Sequence, residues 1–219
     1  MKKDDIVIVP DITFVACALV VMELGATPIF VDVDLDTFIL DQFSTTQAIA
    51  EYGSKVKAIM AVRLGGEPIP GWVYDFKVPV IIDSAHSADP IDPRALACVY
   101  SFHPSKIISG VEGGCIVTNS AGDAEKAREL RNFGFKQGSR IATQAGYKAN
   151  MTNVSAIVVW HNLNRIGATL RDRLRIRELF NTKLGLKRQG LGMYMVTVAE
   201  PEAICAKISA IRHYPMSLS

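Results

Sequence analysis

Cysteine is scarce and scattered in this 219-residue chain: Cys17, Cys98, Cys115 and Cys205 form no C-x-x-C pair and show no zinc-like spacing. That excludes a disulfide framework and a structural metal site, and the four read as buried thiols in a reducing compartment. No G-x-G-x-x-G follows a strand, and Walker A, H-E-x-x-H and G-x-S-x-G patterns are all missing. These gaps weaken nicotinamide and nucleotide-hydrolysis chemistry but leave open a cofactor held covalently by lysine. Long hydrophobic runs are missing too. The longest, Val15 to Met22, stops at Glu23 and is far too short to span a bilayer. The start, MKKDDIVIVP, acquires two acids before any apolar region and has no small-residue cleavage site, so no secretory signal is expected. The N-x-S/T matches at Asn150 and Asn153 therefore carry little meaning, and a soluble cytoplasmic protein is expected. Charge is close to balance at a net +2, which gives no general pull toward nucleic acid.

What is present is an ordinary globular composition, 49% hydrophobic and 21% charged, enough for a buried core in one large domain with or without an appendage. Short β-branched runs alternate with helical stretches. Ile6–Val9, Thr27–Val33, Val56–Val62, Val78–Ile82, Ala97–Ser101 and Gly114–Thr118 read as strands whose near-continuous apolar character suits a sheet covered on both faces. Phe14–Leu24 and Ser44–Tyr52 read as helices closed by Gly25 and Gly53. The alternation predicts an α/β fold with a mostly parallel, doubly wound sheet. Past Gly122 the pattern turns to long helices, Asp123–Asn132 and Asn153–Leu184, the second with Gly167 as a possible interruption. A strand near Met193–Val198 and a helix from Pro201 to Ile211 then predict a small α+β appendage.

Ligands of such sheets bind beyond the carboxyl ends of the strands, so polar residues just after strands come first. Asp83 follows VPVII, and His86 comes three residues later. Ser101 ends CVYS, and Lys106 follows in SFHPSKIISGVEGG. A lysine beside a glycine-rich turn serves either as a phosphate contact or, if desolvated, as a nucleophile that forms a Schiff base. The plainer alternative makes Lys106 a solvated loop lysine and Asp83 a cap. Gly110–Gly114 reads most simply as a tight turn into the next strand. The basic run Arg165, Arg171, Arg173, Arg175 and Arg177, interleaved with Asp172 and Glu178, reads as a solvated or subunit-facing helix rather than a nucleic-acid face.

Five stretches in order, and a sixth at the end, carry a resemblance. They are VIVPDITFVACALVVMELGATPIFVDVDLDTFILD, VIIDSAHS, SFHPSKIISGVEGGCIVTN, ELRNFGF, GYKANMTNVSAI and HYPMSLS. Together they resemble the DegT/DnrJ/EryC1/StrS family of pyridoxal-phosphate-dependent sugar aminotransferases. The resemblance implies the fold-type I transferase architecture, with a cofactor-binding domain over residues 1–175 and a reduced C-terminal unit over 176–219. It makes Lys106 the lysine that bonds to pyridoxal phosphate and Asp83 the partner of the pyridinium nitrogen, which keeps the ring an electron sink. It places His86 near the phenolic oxygen, Phe14 on the ring face and Ser101 at the phosphate. Asn150, with Lys148, would reach the phosphate of a neighbouring subunit, so a homodimer with shared sites is implied. Phe14 as ordinary core and Lys148 as a plain surface cation are the alternatives. His103 and Glu112 read as structural members of the motif.

The implied reaction moves an amino group from glutamate to a nucleotide-linked keto-sugar, as in cell-surface polysaccharide biosynthesis, with Lys106 as general base and acid. Relatives that dehydrate sugars have histidine at the lysine position, so Lys106 favours transamination. The resemblance also expects a Gly-Thr turn at a helix N-terminus ahead of VIVP, where backbone N–H groups hold the phosphate. It expects a larger C-terminal domain and a histidine where Arg63 stands. Against these expectations the alternative is a non-catalytic or weakly cofactor-binding relative that acts as an oligomer subunit. A lysine-based enzyme acting on amino acids is a third option, which lacks an obvious arginine motif for the substrate carboxylate.

Overall fold

In a computed structural model, which describes residues 1–196, six strands form one sheet in the order β2-β1-β3-β4-β5-β6. The strands are β1 (Ile6–Pro10), β2 (Thr27–Val31), β3 (Val56–Val62), β4 (Val80–Asp83), β5 (Ala97–Ser101) and β6 (Gly114–Val117). β1 to β5 pair in parallel and β6 closes the edge antiparallel to β5. The mostly parallel α/β sheet is the architecture expected from the alternating pattern. Because β1 has β2 on one side and β3 on the other, the winding reverses there, and the carboxyl ends of β1, β3, β4 and β5 share one edge.

Side chains alternate across the sheet. Ile6 and Ile8 of β1 join Ile59, Ala61, Val80 and Ile82 on one face, covered by α2 (Gln42–Tyr52), Val73 and Val159. Val7 and Val9 join Ala58, Met60 and Val62 on the other, covered by α1 (Ala16–Glu23) through Cys17 and Val21. Ile8, Ile59 and Ile82 are wholly buried, each contributing about 1.5–3 kcal/mol relative to exposure.

Helix ends follow their caps. Asp41 Oδ1 accepts the Ser44 N–H at 2.8 Å, so α2 starts at Gln42 rather than Ser44. Ser120 caps α3 (Ala121–Leu130) through Asp123, two residues ahead of the expected start. The long C-terminal helical stretch breaks at Arg165, not at Gly167, giving α4 (Asn153–Asn164) and α5 (Ile166–Leu184). Gly167 sits inside α5 without interrupting it.

Three expectations need correction. β6 is exposed along its whole length, so the described residues do not cover the sheet on both faces at this edge. Cys115, on β6, is therefore an exposed thiol, whereas Cys17 and Cys98 are buried. Met193–Val196 is not strand, because Met193 N–H instead donates to the Gly65 carbonyl at 3.1 Å. Residues 197–198, the helix expected over 201–211, Cys205 and HYPMSLS lie outside the described residues. Among the described residues no helix is long and apolar enough to cross a membrane.

Candidate active site

The carboxyl edge of the sheet assembles the polar residues that follow its strands. Asp83 closes β4, half-buried. Its Oδ1 accepts the Ala85 N–H at 2.9 Å, and its Oδ2 accepts the thiol of Cys17 at 3.3 Å. Cys17 lies in the first turn of α1, and the Thr13 hydroxyl meets its sulfur at 3.3 Å. A chain of contacts thus runs from the loop after β1 to the end of β4. Burial pushes the Cys17 thiol up to about 12, with the Asp83 charge adding to it. The thiol stays protonated and acts as a donor.

His86 sits on the loop after β4, half-buried, with Nδ1 accepting the Gly65 N–H at 3.3 Å. Burial lowers its pKa below the ordinary 6.5, and the positive charge of Lys106 lowers it further against the opposing pull of Asp83. The imidazole is neutral at neutral pH, and acceptance at Nδ1 leaves the proton on Nε2.

Lys106 lies on the turn after β5. Its N–H donates to the His103 carbonyl at 2.9 Å, and the His103 ring in turn accepts the Ser105 N–H at 3.2 Å. His103 thus shapes the turn that carries the lysine. Burial lowers the Lys106 pKa from 10.5, with Asp83 partly offsetting it. From α4, Asn162 Nδ2 reaches the Ser109 carbonyl at 2.7 Å and anchors the same loop. Ser101 Oγ accepts the His103 N–H at 3.2 Å, which leaves its own O–H free to donate. The glycine turn that follows requires its glycines. Gly113 has φ +141°, and a Cβ on Gly114 would lie 2.6 Å from the Tyr100 carbonyl oxygen.

Asp83, His86, Ser101 and Lys106 therefore share one sheet edge, and the charges of Asp83, His86 and Lys106 act on one another. Phe14, on the loop after β1, is 71% exposed, which excludes the core reading. Lys148 and Asn150 pair with each other. Lys148 Nζ donates to Asn150 Oδ1 at 3.1 Å and lies 5.9 Å from the centre of the Phe133 ring. Asn150 lines a cleft of about 520 Å³ with Glu125, Arg128, Arg131 and Phe135. Among the described residues no hydrogen bond joins this pair to the Asp83 group.

Sequence reasoning passed over Cys17 and Gly65. Cys17 carries a signal, being three residues after Phe14 at the strand-to-helix turn, but the sequence alone marks it only as a buried thiol. Arg63, which the sequence marks only as a departure from an expected histidine, is a third. Buried at 7% exposure, it donates to Ser84 Oγ at 3.2 Å and to the carbonyls of Asp89 and Pro90, stitching the loop that carries His86.

A parallel sheet with an amine, a carboxylate and an imidazole gathered at its carboxyl edge has the fold of the pyridoxal-phosphate aminotransferases. Residues 1–211 match the model of the DegT/DnrJ/EryC1/StrS aminotransferase family, and the chain belongs to that family. It is 30% identical over 216 residues to the UDP-4-amino-4-deoxy-L-arabinose–oxoglutarate aminotransferase of Shewanella sediminis (strain HAW-EB3), covering 87% of this chain and 55% of the relative. Two solved structures share the fold. A DegT/DnrJ/EryC1/StrS aminotransferase from Brucella abortus superposes with a TM-score of 0.75 at 26% identity, over 83% of this chain and 53% of that one. Spr1654 of Streptococcus pneumoniae in its PMP form gives 0.71 at 27%, over 82% and 53%. The chain spans about half the length of the relatives it matches.

Proposed function

We propose that the protein is a pyridoxal-phosphate-dependent aminotransferase that moves an amino group from glutamate to a nucleotide-linked keto-sugar. The observation that carries this reading is the half-buried Lys106, its pKa lowered by burial, under the charge of Asp83 and beside a neutral His86. The name of the Shewanella relative supports the substrates: it pairs a UDP-linked amino sugar with oxoglutarate, the keto acid left when glutamate loses its amino group. Spr1654, solved in its PMP form, supports the cofactor.

The donor set fits that cofactor. Lys106 would supply the amine that holds its aldehyde carbon, Asp83 the carboxylate for its ring nitrogen, and Ser101 a free O–H for its phosphate. Pyridoxal phosphate, when bound, supplies an electron sink through which an amino group passes from one substrate to the next. The protein does the rest. Asp83, with a donor on each oxygen, is held as a fixed acceptor. His86 Nε2–H donates a hydrogen bond without adding charge. Phe14 offers an aromatic face at the open side of the site. Lys106 would take up and return the proton of the substrate α-carbon at its Nζ, a task that a pKa lowered by burial suits.

Lys148 and Asn150, whose hydrogen bond is to each other and not to the Asp83 group, serve the site of a second copy in this reading. Val154, Ile157 and Trp160 on α4, Leu19 and Met22 on α1 and Val15 just before it are all exposed apolar side chains and supply the surface for a homodimer. In this reading the protein works in the cytoplasm, with a cofactor-binding part through residue 175 and a second part after it. That boundary falls within α5.

Titration with pyridoxal phosphate tests the reading. A yellow, saturable absorbance band should form and glutamate should bleach it. No band would overturn the cofactor reading. A weak band that glutamate leaves unchanged would favour the non-catalytic subunit instead.

A further inference from the structure

Beyond α5 the chain turns back across the end of β3. Gly185 ends the helix in the left-handed conformation, with φ 66°. The backbone of the returning segment then bonds to the turn that follows β3. Gly192 N–H donates to the Gly65 carbonyl at 2.8 Å, and Gln189 N–H to the buried Glu67 carboxylate at 3.1 Å. α5 holds the segment from behind. Arg173 Nη1 donates to the carbonyls of Leu191 and Gly192 at 3.0 and 2.8 Å, and Arg177 Nη1 donates to that of Gln189. Two members of the basic run are thus clamps on a backbone rather than solvated charges.

The fit depends on glycine. A Cβ on Gly190 would lie 2.5 Å from the Gly65 oxygen, one on Gly66 would lie 2.9 Å from the His86 oxygen, and one on Gly192 would strike that same His86 oxygen. No side chain separates the returning segment from the two peptides that frame His86. Gly65 is bonded through both of the peptide units that flank its Cα. Its carbonyl takes the Gly192 N–H, and its own N–H donates to His86 Nδ1.

We propose that the Gln189–Met193 segment, clamped by Arg173, is a positioning element for His86. By fixing the Gly65 backbone from its carbonyl side it holds the Gly65 N–H on Nδ1, and so keeps the ring proton on Nε2, where it can donate to a bound ligand. Arg63 fixes the same loop from its other end through Ser84, Asp89 and Pro90. The consequence for cofactor binding rests on the function proposed above. The coupling of the segment to the histidine does not.

Long-range proton–nitrogen spectra of the histidine rings in the full chain, near neutral pH and without cofactor, read the tautomer directly. The wild type should show His86 as a single neutral Nε2–H form. Gly192→Ala, which pushes the segment away, and Arg173→Gln, which removes its clamp, should each give a mixture with the Nδ1–H form at unchanged far-ultraviolet circular dichroism. Arg173→Lys should restore much of the single form. Arg171→Gln, an exposed change on the same helix, should leave it intact. A single Nε2–H form in both disrupting variants would overturn the inference, as would an equal response to Arg171→Gln. If Gly192→Ala fails to fold, Arg173→Gln decides. Unfolding of Arg173→Gln as well would count against it, by making the segment plain core structure. Pyridoxal phosphate affinity should fall roughly threefold to tenfold in the disrupting variants, the scale of one hydrogen bond. A shifted tautomer with unchanged affinity would keep the positioning role and overturn only the placing of His86 at the cofactor.

Discussion

The thiol of Cys17 lies 3.3 Å from Asp83 Oδ2 and donates to it across two elements 66 residues apart. The pair fixes the carboxylate from the α1 side, as the Ala85 N–H fixes it from its own loop. With its pKa pushed up to about 12, Cys17 is a donor and not a nucleophile, although it stands beside a site that would hold an aldehyde.

Cys17 should therefore resist alkylation. Under iodoacetamide near neutral pH, peptide mapping should find exposed Cys115 modified ahead of Cys17, which should be slower by roughly two orders of magnitude or more because it is buried and its thiolate fraction is so small. Equal rates would mean that the thiol is not held as described.

Asp83→Asn keeps shape and removes charge. Pyridoxal phosphate affinity, read by absorbance titration, should fall about thirtyfold, the equivalent of about 2 kcal/mol for a hydrogen bond to a charged group. Circular dichroism should be unchanged. Unaltered affinity would detach Asp83 from the ring nitrogen.

His86 makes stability depend on pH. Burial and Lys106 depress its folded-state pKa below the 6.5 of the unfolded chain, so between the two values the unfolded state binds more protons. Its contribution is intact above 6.5 and is lost as pH falls through that window. The urea midpoint should drop with pH there, and His86→Gln should flatten the slope. The same slope in both proteins would contradict the assignment.

Two glycines should respond oppositely to alanine. Gly114→Ala places a Cβ 2.6 Å from the Tyr100 oxygen and should cost roughly 1–3 kcal/mol in urea unfolding. Gly122→Ala, in α3 with only the Ser120 hydroxyl nearby at 3.9 Å, should stabilise by roughly 0.5–1 kcal/mol. A neutral Gly114→Ala would show that the β5–β6 turn tolerates a side chain.

Much of the fold could be read from local pattern. Val56–Val62 and Ala97–Ser101 are strands to the residue, because an apolar β-branched run bounded by polar residues has few alternatives. Helix starts shifted where Asp41 and Ser120 captured N–H groups from three residues on, a competition that periodicity does not express. β6 reads like a buried strand, yet no described element covers it, and composition cannot tell an edge from a centre. At the site, Asp83, His86, Ser101 and Lys106 were legible because parallel sheets collect post-strand residues at one edge. The Cys17–Asp83 and Gly65–Gly192 contacts were not, since each joins residues far apart in the chain without a repeating pattern. The glycines of LGG and QGLG carry a signal only once their close approach is known.

Mass mapping after borohydride reduction in the presence of pyridoxal phosphate tests the central claim most directly. The account predicts one cofactor mass fixed irreversibly on Lys106, with Lys106→Ala left unlabelled. Labelling spread over surface lysines, or retained in full by Lys106→Ala, would contradict it.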